Sequence, residues 1–353
     1  MGAGNHESPR EMHRSKTARR NGSVPRRENM TEHLELSVVI PTRDTRELTL
    51  NCLASLWLAD PQPDEVIVVD DGGSDSTAAS VLRKYPRHVV VRLPECRGFT
   101  NAVNHGMARA SGDLLLLLNS DTEVEPGALA TVLAAFEADP RLGIAGAALL
   151  DPSGAPQWSG GRCPSTLWCF ALASGIPALL GRSGVWRQLR PPSGSTGRPV
   201  HWVAGTAMVV RREVWQSVGP LDPDYRLYCQ DLDFCDRARE AGWKVAVVPG
   251  FRVMHHLGST IAGERGAVGG THPELMWSDL VRFAGKRWGR ARARKAGLAL
   301  RLGGQVRLLG RSLAAPVIPR ASLPEWRAAN SAYVDAVRAL RRVDGAPDHT
   351  RSR

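Results

Sequence analysis

From Leu36 onward, short apolar runs alternate with segments in which apolar residues recur every three or four positions. A short run of β-branched residues or leucines is typical of a buried strand, and the longer spacing is typical of a helix face. Such runs predict four strands, at residues 36–40, 65–70, 88–93 and 114–119. Strands joined by helical crossovers run parallel, so the pattern predicts an α/β fold with a mostly parallel sheet.

Order returns after a stretch between residues 151 and 199 that is rich in Pro, Gly, Ser and Trp. The later patterns predict a strand at 200–211, helices at 231–241 and 271–288, and short strands at 244–248 and 251–255. No internal repeat is evident.

Polar side chains follow three of the predicted strands at their carboxyl ends, where open parallel sheets bind ligands. These segments are Pro41-Thr42-Arg43-Asp44, Asp70-Asp71-Gly72-Gly73-Ser74-Asp75 and Asn119-Ser120-Asp121. Three acidic clusters at one edge would repel a bare phosphate, but Mg²⁺ or Mn²⁺ would bind the carboxylates and bridge to a diphosphate. Turn and cap chemistry is the alternative explanation for each motif taken alone.

The formal charge of +11 is unevenly distributed along the 353 residues. Residues 1–33 carry a net +3, residues 34–281 a net −5 and residues 282–353 a net +13. We therefore predict a disordered basic tail (1–33), a folded body (34–288), a basic amphipathic helical extension (289–341) and a disordered tail (342–353). The acidic body argues against nucleic acid as a partner.

Six cysteines without paired spacing, and no apolar export signal, predict a cytoplasmic protein. The charge-free stretch 163–181 is interrupted by Pro and Gly, so it is a poor membrane span. We expect an apolar loop or broken helix there, either near lipid or buried.

The basic residues of segment 286–311 surround an apolar stripe that extends to Leu313. The stripe consists of Leu298, Leu302, Val306, Leu309 and Leu313, although Gly297, Gly303 and Gly304 disfavour a helix. A helix lying on an anionic membrane surface explains this pattern, and a charged face packed on the body is the alternative. The first of these predicts a peripheral protein at the inner face of the cell membrane.

The strand-end motifs, together with later ones, resemble family 2 glycosyltransferases. Matching segments in the family's order are Val38–Thr42, Val68–Ser74, Arg97-Gly98-Phe99 through Asn104-His105-Gly106, and Leu117–Thr122. Three further segments, Trp202–Gly205, Tyr228–Asp233 and Val253–His256, fit the rhamnosyltransferase-like branch. The resemblance covers about residues 36–260.

This resemblance implies a GT-A fold, a Rossmann-like nucleotide-diphospho-sugar transferase architecture, for residues 34–288. It also implies inverting transfer of a sugar, with Asp231 as catalytic base and a metal held by Asp121 and His255. Secondary candidates are Asp233 for the base and His256 for the metal. The implied donor site consists of Pro41, Thr42, Arg43, Asp70, Asp71, Arg97, Asn104, Asn119, Ser120, Asp121, Trp202 and Gly205.

The residues around Asp231 also support a base on physical grounds. A carboxylate can take the proton of an acceptor hydroxyl, and the start of a helix favours its ionised form. An N-cap role for Asp231 is compatible with this. Gln230, Cys96 and Asn119 depart from the family's usual Glu, Asn and first Asp of Asp-x-Asp.

The branch resemblance makes dTDP-rhamnose the first choice of donor for a hexosyltransferase acting on a cell-wall, polysaccharide or lipid-linked acceptor. A UDP-hexose or galactofuranose donor is the alternative. An oxidoreductase lacks support because no Gly-x-Gly-x-x-Gly follows the first strand. A non-catalytic lipid or nucleic-acid binding protein would leave the acidic strand ends unexplained.

Overall fold

The computed structural model describes Met1 and residues 34–176, 199–256 and 266–343. The tails predicted at 1–33 and 342–353 lie outside the described residues, apart from Met1 and the last two residues of the final helix. Within the described ranges the protein has the predicted α/β architecture, with a helical C-terminal region.

Eight strands form one mixed, mostly parallel sheet in the order β3-β2-β1-β4-β9-β6-β10-β5. Strand β1 is parallel to β2 and β4, and β6 is parallel to β10. Strand β9 runs antiparallel between β4 and β6, and β5 runs antiparallel along β10. A separate pair is formed by β7 and β8. The strands span Leu36–Thr42, Glu65–Asp70, Val89–Arg92, Leu114–Leu118, Thr122–Val124, Leu142–Leu150, Gly160–Gly161, Trp202–Val203, Ala207–Arg211 and Lys244–His255.

Helices cover both faces of the sheet because its central strands are apolar on both sides. In β1, Val39 belongs to one buried cluster, and Val38 and Ile40 belong to the other. The leucines of β4 alternate between the same two clusters. The helices α1–α10 span Arg46–Trp57, Thr77–Lys84, Phe99–Met107, Ala128–Ala138, Thr166–Ser174, Arg212–Val218, Gln230–Glu240, Pro273–Trp288, Arg290–Ala314 and Leu323–Val343, with 3₁₀ turns at Ala315–Val317 and Arg320–Ser322.

The sheet must curl, because β4 and β5 are joined by only three residues. The two strands are four places apart in the sheet order, and four strand spacings of a flat sheet measure about 19 Å. The four residue steps from Leu118 to Thr122 reach at most about 14 Å. The curl brings β5 back against α1, where the N–H of Val124 donates to Ser55 Oγ at 3.0 Å.

Several strands differ from the sequence predictions, and the short strands β5 and β7 were not predicted. Strand β6 was not predicted, because its Gly- and Ala-rich sequence lacks the usual β-branched signal. Its Gly146 is required by packing, since a Cβ there would lie 2.5 Å from Val203 Cβ. The strand predicted at 200–211 is interrupted at 204–206, and the two predicted at 244–248 and 251–255 form one strand with an irregularity after Val248.

In helix α9, glycine permits close packing where the sequence suggested a weak helix. A Cβ on Gly303 would lie 2.5 Å from the carbonyl oxygen of Phe170 in α5, and one on Gly304 would lie 2.6 Å from Val337 Cγ2 in α10. The helix therefore runs unbroken for 25 residues with its small residues inward. Across the described ranges, no helix is both long and apolar enough to cross a membrane.

Several basic residues of the 286–311 segment face the body of the protein. Lys286 bonds to Asp222 and Asp224, and Arg287 bonds to Asp236. Arg307 donates to the carbonyl oxygens of Leu172 and Ala173 and to Tyr333 Oη. These three side chains bond to the body of the protein, so only part of this basic segment faces solvent.

Candidate active site

The loops that follow β1, β2 and β4 are tied to one another at the carboxyl edge of the sheet. Asp44, after β1, accepts hydrogen bonds from the backbone N–H groups of Ser74 and Asp75 at 2.6 and 3.2 Å. Buried Thr42 shares a hydroxyl network with Thr45, Thr49 and Ser120. Thr42 and Ser120 therefore hold the β1 and β4 loops together.

Asp70 ends β2 and Asp71 follows it, and both are buried. Asp70 Oδ1 accepts the Gly73 N–H at 2.9 Å and stabilises the turn. Asp71 accepts the N–H groups of Arg97 and Gly98 at 2.7 and 2.9 Å, which fixes the start of α3 to the β2 edge. Both carboxylates thus have structural partners.

Gly72 makes this approach possible. Its φ is +68°, and a Cβ would lie 2.6 Å from the backbone nitrogen of Cys96. Beside it is an open cleft of about 290 Å³ lined by Gly72, Gly73, Arg92, Leu93 and Pro94. This cleft lies at the carboxyl ends of β2 and β3.

Of the remaining residues predicted to bind the donor, some are exposed to solvent and others are buried or hydrogen-bonded within the protein. The side chains of Arg43 and Arg97 are 56% and 48% exposed, so both are accessible to a ligand. Pro41 is buried within β1. Asn104 is engaged at both ends of its amide, since it donates to the carbonyl oxygen of Leu221 and accepts the Leu221 N–H. Asn104 therefore links α3 to the segment before α7.

Asp121 and His255 lie close together where the neighbouring strands β5 and β10 pair. Thr122 pairs with His255 in the β5–β10 ladder, and Asp121 Oδ1 lies 3.6 Å from His255 Nε2. Both side chains are buried, and Asp121 Oδ1 has no hydrogen-bond partner. Burial raises the pKa of Asp121 to about 6 and lowers the pKa of His255 to about 4. At neutral pH the histidine is uncharged, so the pair is not an ion pair.

Gln157 fixes which nitrogen of His255 carries the proton. The Gln157 amide nitrogen donates to the His255 carbonyl oxygen at 2.8 Å, so its Oε1 accepts from His255 Nδ1 at 2.9 Å. The lone pair of Nε2 then points toward Asp121. Two unprotonated acceptors directed at one another can both bind a cation placed between them. The hydrogen bond to Gln157 orients the His255 ring for this role.

A divalent cation fits these residues. Besides Asp121 Oδ1, the side-chain oxygen of Asn119 is buried without a hydrogen-bond partner. In the parts of the chain that are described, no three His, Cys, Asp or Glu side chains gather around one point. A cation here would have few protein ligands, which suits Mg²⁺ because it usually retains waters or substrate phosphates as ligands. His256 bonds instead to Glu123, at 3.0 Å.

Asp231 lies in the first turn of α7. Its Oδ2 accepts the Gly205 N–H at 2.9 Å and its Oδ1 accepts the Leu232 N–H at 2.7 Å. Burial raises the pKa of Asp231, and these backbone N–H groups oppose the rise. The side chain is thus held in one orientation with a proton affinity above that of an ordinary aspartate, which suits a general base.

Asp233 has a different environment, although it is two residues away. Its Oδ2 accepts from Arg237 Nε at 2.8 Å, and its Oδ1 lies 3.4 Å from Tyr225 Oη. The Arg237 guanidinium also donates to the carbonyl oxygens of Val218 and Pro220. This buried pair joins α7 to the preceding loop and is a structural interaction.

Three tryptophans connect the loop before Gly205 to helix α5. Trp202 is buried, and its ring centroid lies 5.2 Å from that of Trp158, which lies 5.5 Å from that of Trp168. Sequence reasoning missed Trp158 and Gln157, which lie in the irregular stretch after β6. Neither carries a periodic or motif signal, and Gln157 is 98 positions from its partner His255.

The chain belongs to glycosyl transferase family 2, whose model matches residues 37–214, about half of the sequence. It is therefore a glycosyltransferase. It is 31% identical over 223 residues to N-acetylglucosaminyl-diphospho-decaprenol L-rhamnosyltransferase of Mycobacterium tuberculosis, covering 58% of this chain and 70% of that one. It is 26% identical to an O-antigen biosynthesis protein of Myxococcus xanthus over 63% of this chain and 17% of that one.

Solved structures agree on the GT-A fold. A mannosyltransferase of Pyrobaculum calidifontis, solved with GDP-Man and Mn²⁺, superposes with a TM-score of 0.52 at 16% identity, covering 89% of this chain and 88% of that one. GalNAc-T7, solved with UDP, GalNAc and Mn²⁺, gives 0.54 at 16% identity, covering 86% and 55%. The predicted fold class is thus confirmed.

Proposed function

We propose that the protein is an inverting glycosyltransferase that moves rhamnose from dTDP-rhamnose to a cell-wall, polysaccharide or lipid-linked acceptor. The main support for this proposal is that the loop 204–206 bonds both to Asp231 and to Asn119. Its Gly205 N–H binds the carboxylate of Asp231, and its Thr206 carbonyl accepts the Asn119 N–H at 2.9 Å. One short loop therefore supports both the proposed base and the proposed diphosphate-binding edge.

In the proposed reaction, the acceptor hydroxyl oxygen forms a bond to the anomeric carbon of the donor sugar. The bond from that carbon to the diphosphate oxygen breaks, and its electron pair leaves with the nucleoside diphosphate. Asp231 takes the hydroxyl proton. A single displacement inverts the anomeric configuration, and no covalent sugar–enzyme intermediate is needed.

Asp121 and His255 would hold Mg²⁺ or Mn²⁺, and the buried, unpartnered amide oxygen of Asn119 is a further candidate oxygen. The bound cation would neutralise the negative charge of the diphosphate. Because burial makes a lone carboxylate costly, a cation also explains the unpartnered oxygen of Asp121. His256, engaged with Glu123, is the less favoured ligand.

The choice of donor and acceptor rests on the similarity to the mycobacterial rhamnosyltransferase. That relative's name describes a sugar acceptor on a polyprenyl diphosphate, and we propose an acceptor of this kind here. The open cleft beside Gly72 and Asp71 would take the nucleoside. A lipid-borne acceptor requires the protein at a membrane surface, so we propose peripheral association with the inner face of the cell membrane.

A panel of nucleotide sugars tests the proposal, with release of nucleoside diphosphate as the readout and Mn²⁺ present or chelated. We expect the fastest release with dTDP-rhamnose, loss of activity on chelation and a product of inverted anomeric configuration. Faster release with a UDP-hexose or UDP-galactofuranose would reassign the donor. Retained configuration would contradict direct displacement.

A further inference from the structure

Helix α9 has one face packed into the protein and one exposed apolar face. Gly303, Gly304 and Leu300 are buried on the packed side. On the other side lie Leu298, Leu302, Val306, Leu309 and Leu313, which are 51%, 47%, 40%, 63% and 74% exposed. Their spacing of three or four residues puts them in one row, which we call the leucine face.

An exposed row of large apolar side chains is unusual on a soluble domain and marks an interaction site. Scattered exposed leucines occur elsewhere in the described residues, for example Leu58 and Leu82. The leucine face differs because its five members follow one another along a single helix. The packed face already supplies the contacts that hold α9 to the body, so the leucine face is not needed for folding.

The charge of α9 indicates what covers this face. The helix contains seven Lys or Arg residues and no Asp or Glu. Arg307 and Arg311 point inward, where they bond to α5 and α10. Arg294 and Lys295 are exposed and precede Leu298 by four and three residues, so they border the leucine face.

We propose that the leucine face is a docking surface for an anionic lipid bilayer. A helix with a row of leucines bordered by Arg and Lys, and without acidic residues, can insert its apolar side among acyl chains while its cations contact lipid phosphates. A second copy of the chain is a poorer partner. Pairing two such helices would bring basic residues together without any acidic group on either helix to offset them.

A series of contacts connects the leucine face to the proposed active site. Helix α9 packs on α5, with Gly303 against the Phe170 carbonyl oxygen. From α5, Trp168 contacts Trp158, and Trp158 contacts Trp202 in the segment that leads to Gly205. Docking on α9 would therefore hold the Gly205 loop and the proposed base Asp231 near a lipid-borne sugar, a consequence that rests on the proposed function.

Sedimentation of the full chain with vesicles tests the docking surface. The vesicles are phosphatidylcholine alone or an equal mixture of phosphatidylcholine and phosphatidylglycerol. We expect binding to the mixed vesicles, and a loss of at least about tenfold in the double variant Leu302→Gln, Leu309→Gln. The matched control, Leu58→Gln with Leu82→Gln, removes two exposed leucines elsewhere and should bind as wild type. The variant Arg294→Gln, Lys295→Gln should lose the preference for anionic lipid.

Equal binding of the two leucine variants would overturn the proposal, as would a wild-type chain that does not bind the mixed vesicles. Light scattering adds a further check, because a wild-type dimer that the α9 leucine variant converts to a monomer would assign the face to a second copy. Nucleoside diphosphate release without vesicles is measured in parallel. Normal release with absent vesicle binding would overturn only the docking surface, whereas absent release with normal binding would overturn only the proposed reaction.

Discussion

The backbone N–H of Gly205 donates a hydrogen bond of 2.9 Å to Oδ2 of Asp231. The two residues come from different elements, the loop between β8 and β9 and the first turn of α7. A Cβ on residue 205 would lie 3.4 Å from Asp231 Cβ, so the loop and the carboxylate are in close contact. The orientation of the proposed base thus depends on a backbone group rather than on another titratable side chain.

Asp231→Asn should lower kcat by about 10²–10⁴-fold, because an amide cannot accept the proton of the acceptor hydroxyl. Donor affinity should change little, since the substitution leaves the diphosphate edge intact. Steady-state kinetics with product release, together with donor titration by calorimetry, would measure both quantities. Activity close to wild type would remove Asp231 from the role of base.

Asp233→Asn should affect stability more than Asp231→Asn does. It leaves the Arg237 guanidinium without its carboxylate partner in a largely buried setting. Breaking such a pair costs about 3–5 kcal/mol, so thermal unfolding should occur at a clearly lower temperature. If Asp233→Asn instead kept full stability and lost turnover, the two aspartates would exchange their proposed roles.

As the pH is lowered, kcat should begin to fall before the pH reaches about 3.9, the ordinary pKa of an aspartate. Burial raises the pKa of Asp231, and only the deprotonated form can act as a base. As pH falls through that raised pKa, the protonated fraction grows and kcat falls. Measuring kcat against pH at saturating donor and Mn²⁺ would give the pH at which the activity falls. A fall at or below the ordinary aspartate pKa would argue against a base whose pKa is raised by burial.

Gln157→Leu should weaken Mn²⁺ binding by about 10–100-fold, the usual effect of removing a group that orients a metal ligand. The leucine cannot accept from His255 Nδ1, so the ring loses its fixed tautomer. His255→Gln should weaken binding further, whereas His256→Gln should have little effect because His256 pairs with Glu123. Calorimetric Mn²⁺ titration in the presence of nucleoside diphosphate distinguishes these variants, and a larger effect at His256 would reverse the ligand assignment.

Gly72→Ala should destabilise the protein more than Gly154→Ala. Both glycines have a left-handed φ, +68° and +79°, and an alanine in that conformation costs about 1–2 kcal/mol. Around Gly154 there is no atom within 4 Å of an added Cβ, whereas at Gly72 the backbone nitrogen of Cys96 is 2.6 Å away. Chemical denaturation should therefore give an excess loss of about 1 kcal/mol or more for Gly72→Ala, with weaker nucleotide binding, and equal losses would contradict the close approach.

Much of the N-terminal half of the fold follows from sequence periodicity. The bounds of β2 are those predicted, and those of β1 and β4 differ by one or two residues, because short apolar runs carry the local signal. In the C-terminal half, the bounds of α7 differ by one residue, because Gly242 marks its end. Strand β6 could not be predicted, because Gly146 is required there by the approach of Val203, a contact made far along the chain. The exposure of the leucine face likewise depends on which side of α9 packs.

The residues of the candidate site could be located by motif, but their partners could not. Asp121, Asp231 and His255 stand in segments with recognisable spacing. Asn104, expected at the donor, bonds to the Leu221 backbone 117 positions away, and Asp70 stabilises its own turn. Such pairings depend on tertiary contacts, so the sequence alone could not separate groups that face a ligand from groups that hold loops.

The distance between Asp121 and His255 depends on the register in which β5 pairs with β10 in the curled sheet. Residues 134 positions apart in the chain become neighbours because Thr122 pairs with His255. Strand β5 has only three residues, so few ladder bonds resist a shift. A slip by one residue would place Met254 opposite Thr122 and turn the imidazole to the other face of the sheet. Insertion of one residue between Leu118 and Asn119 should therefore abolish metal affinity without removing any proposed ligand.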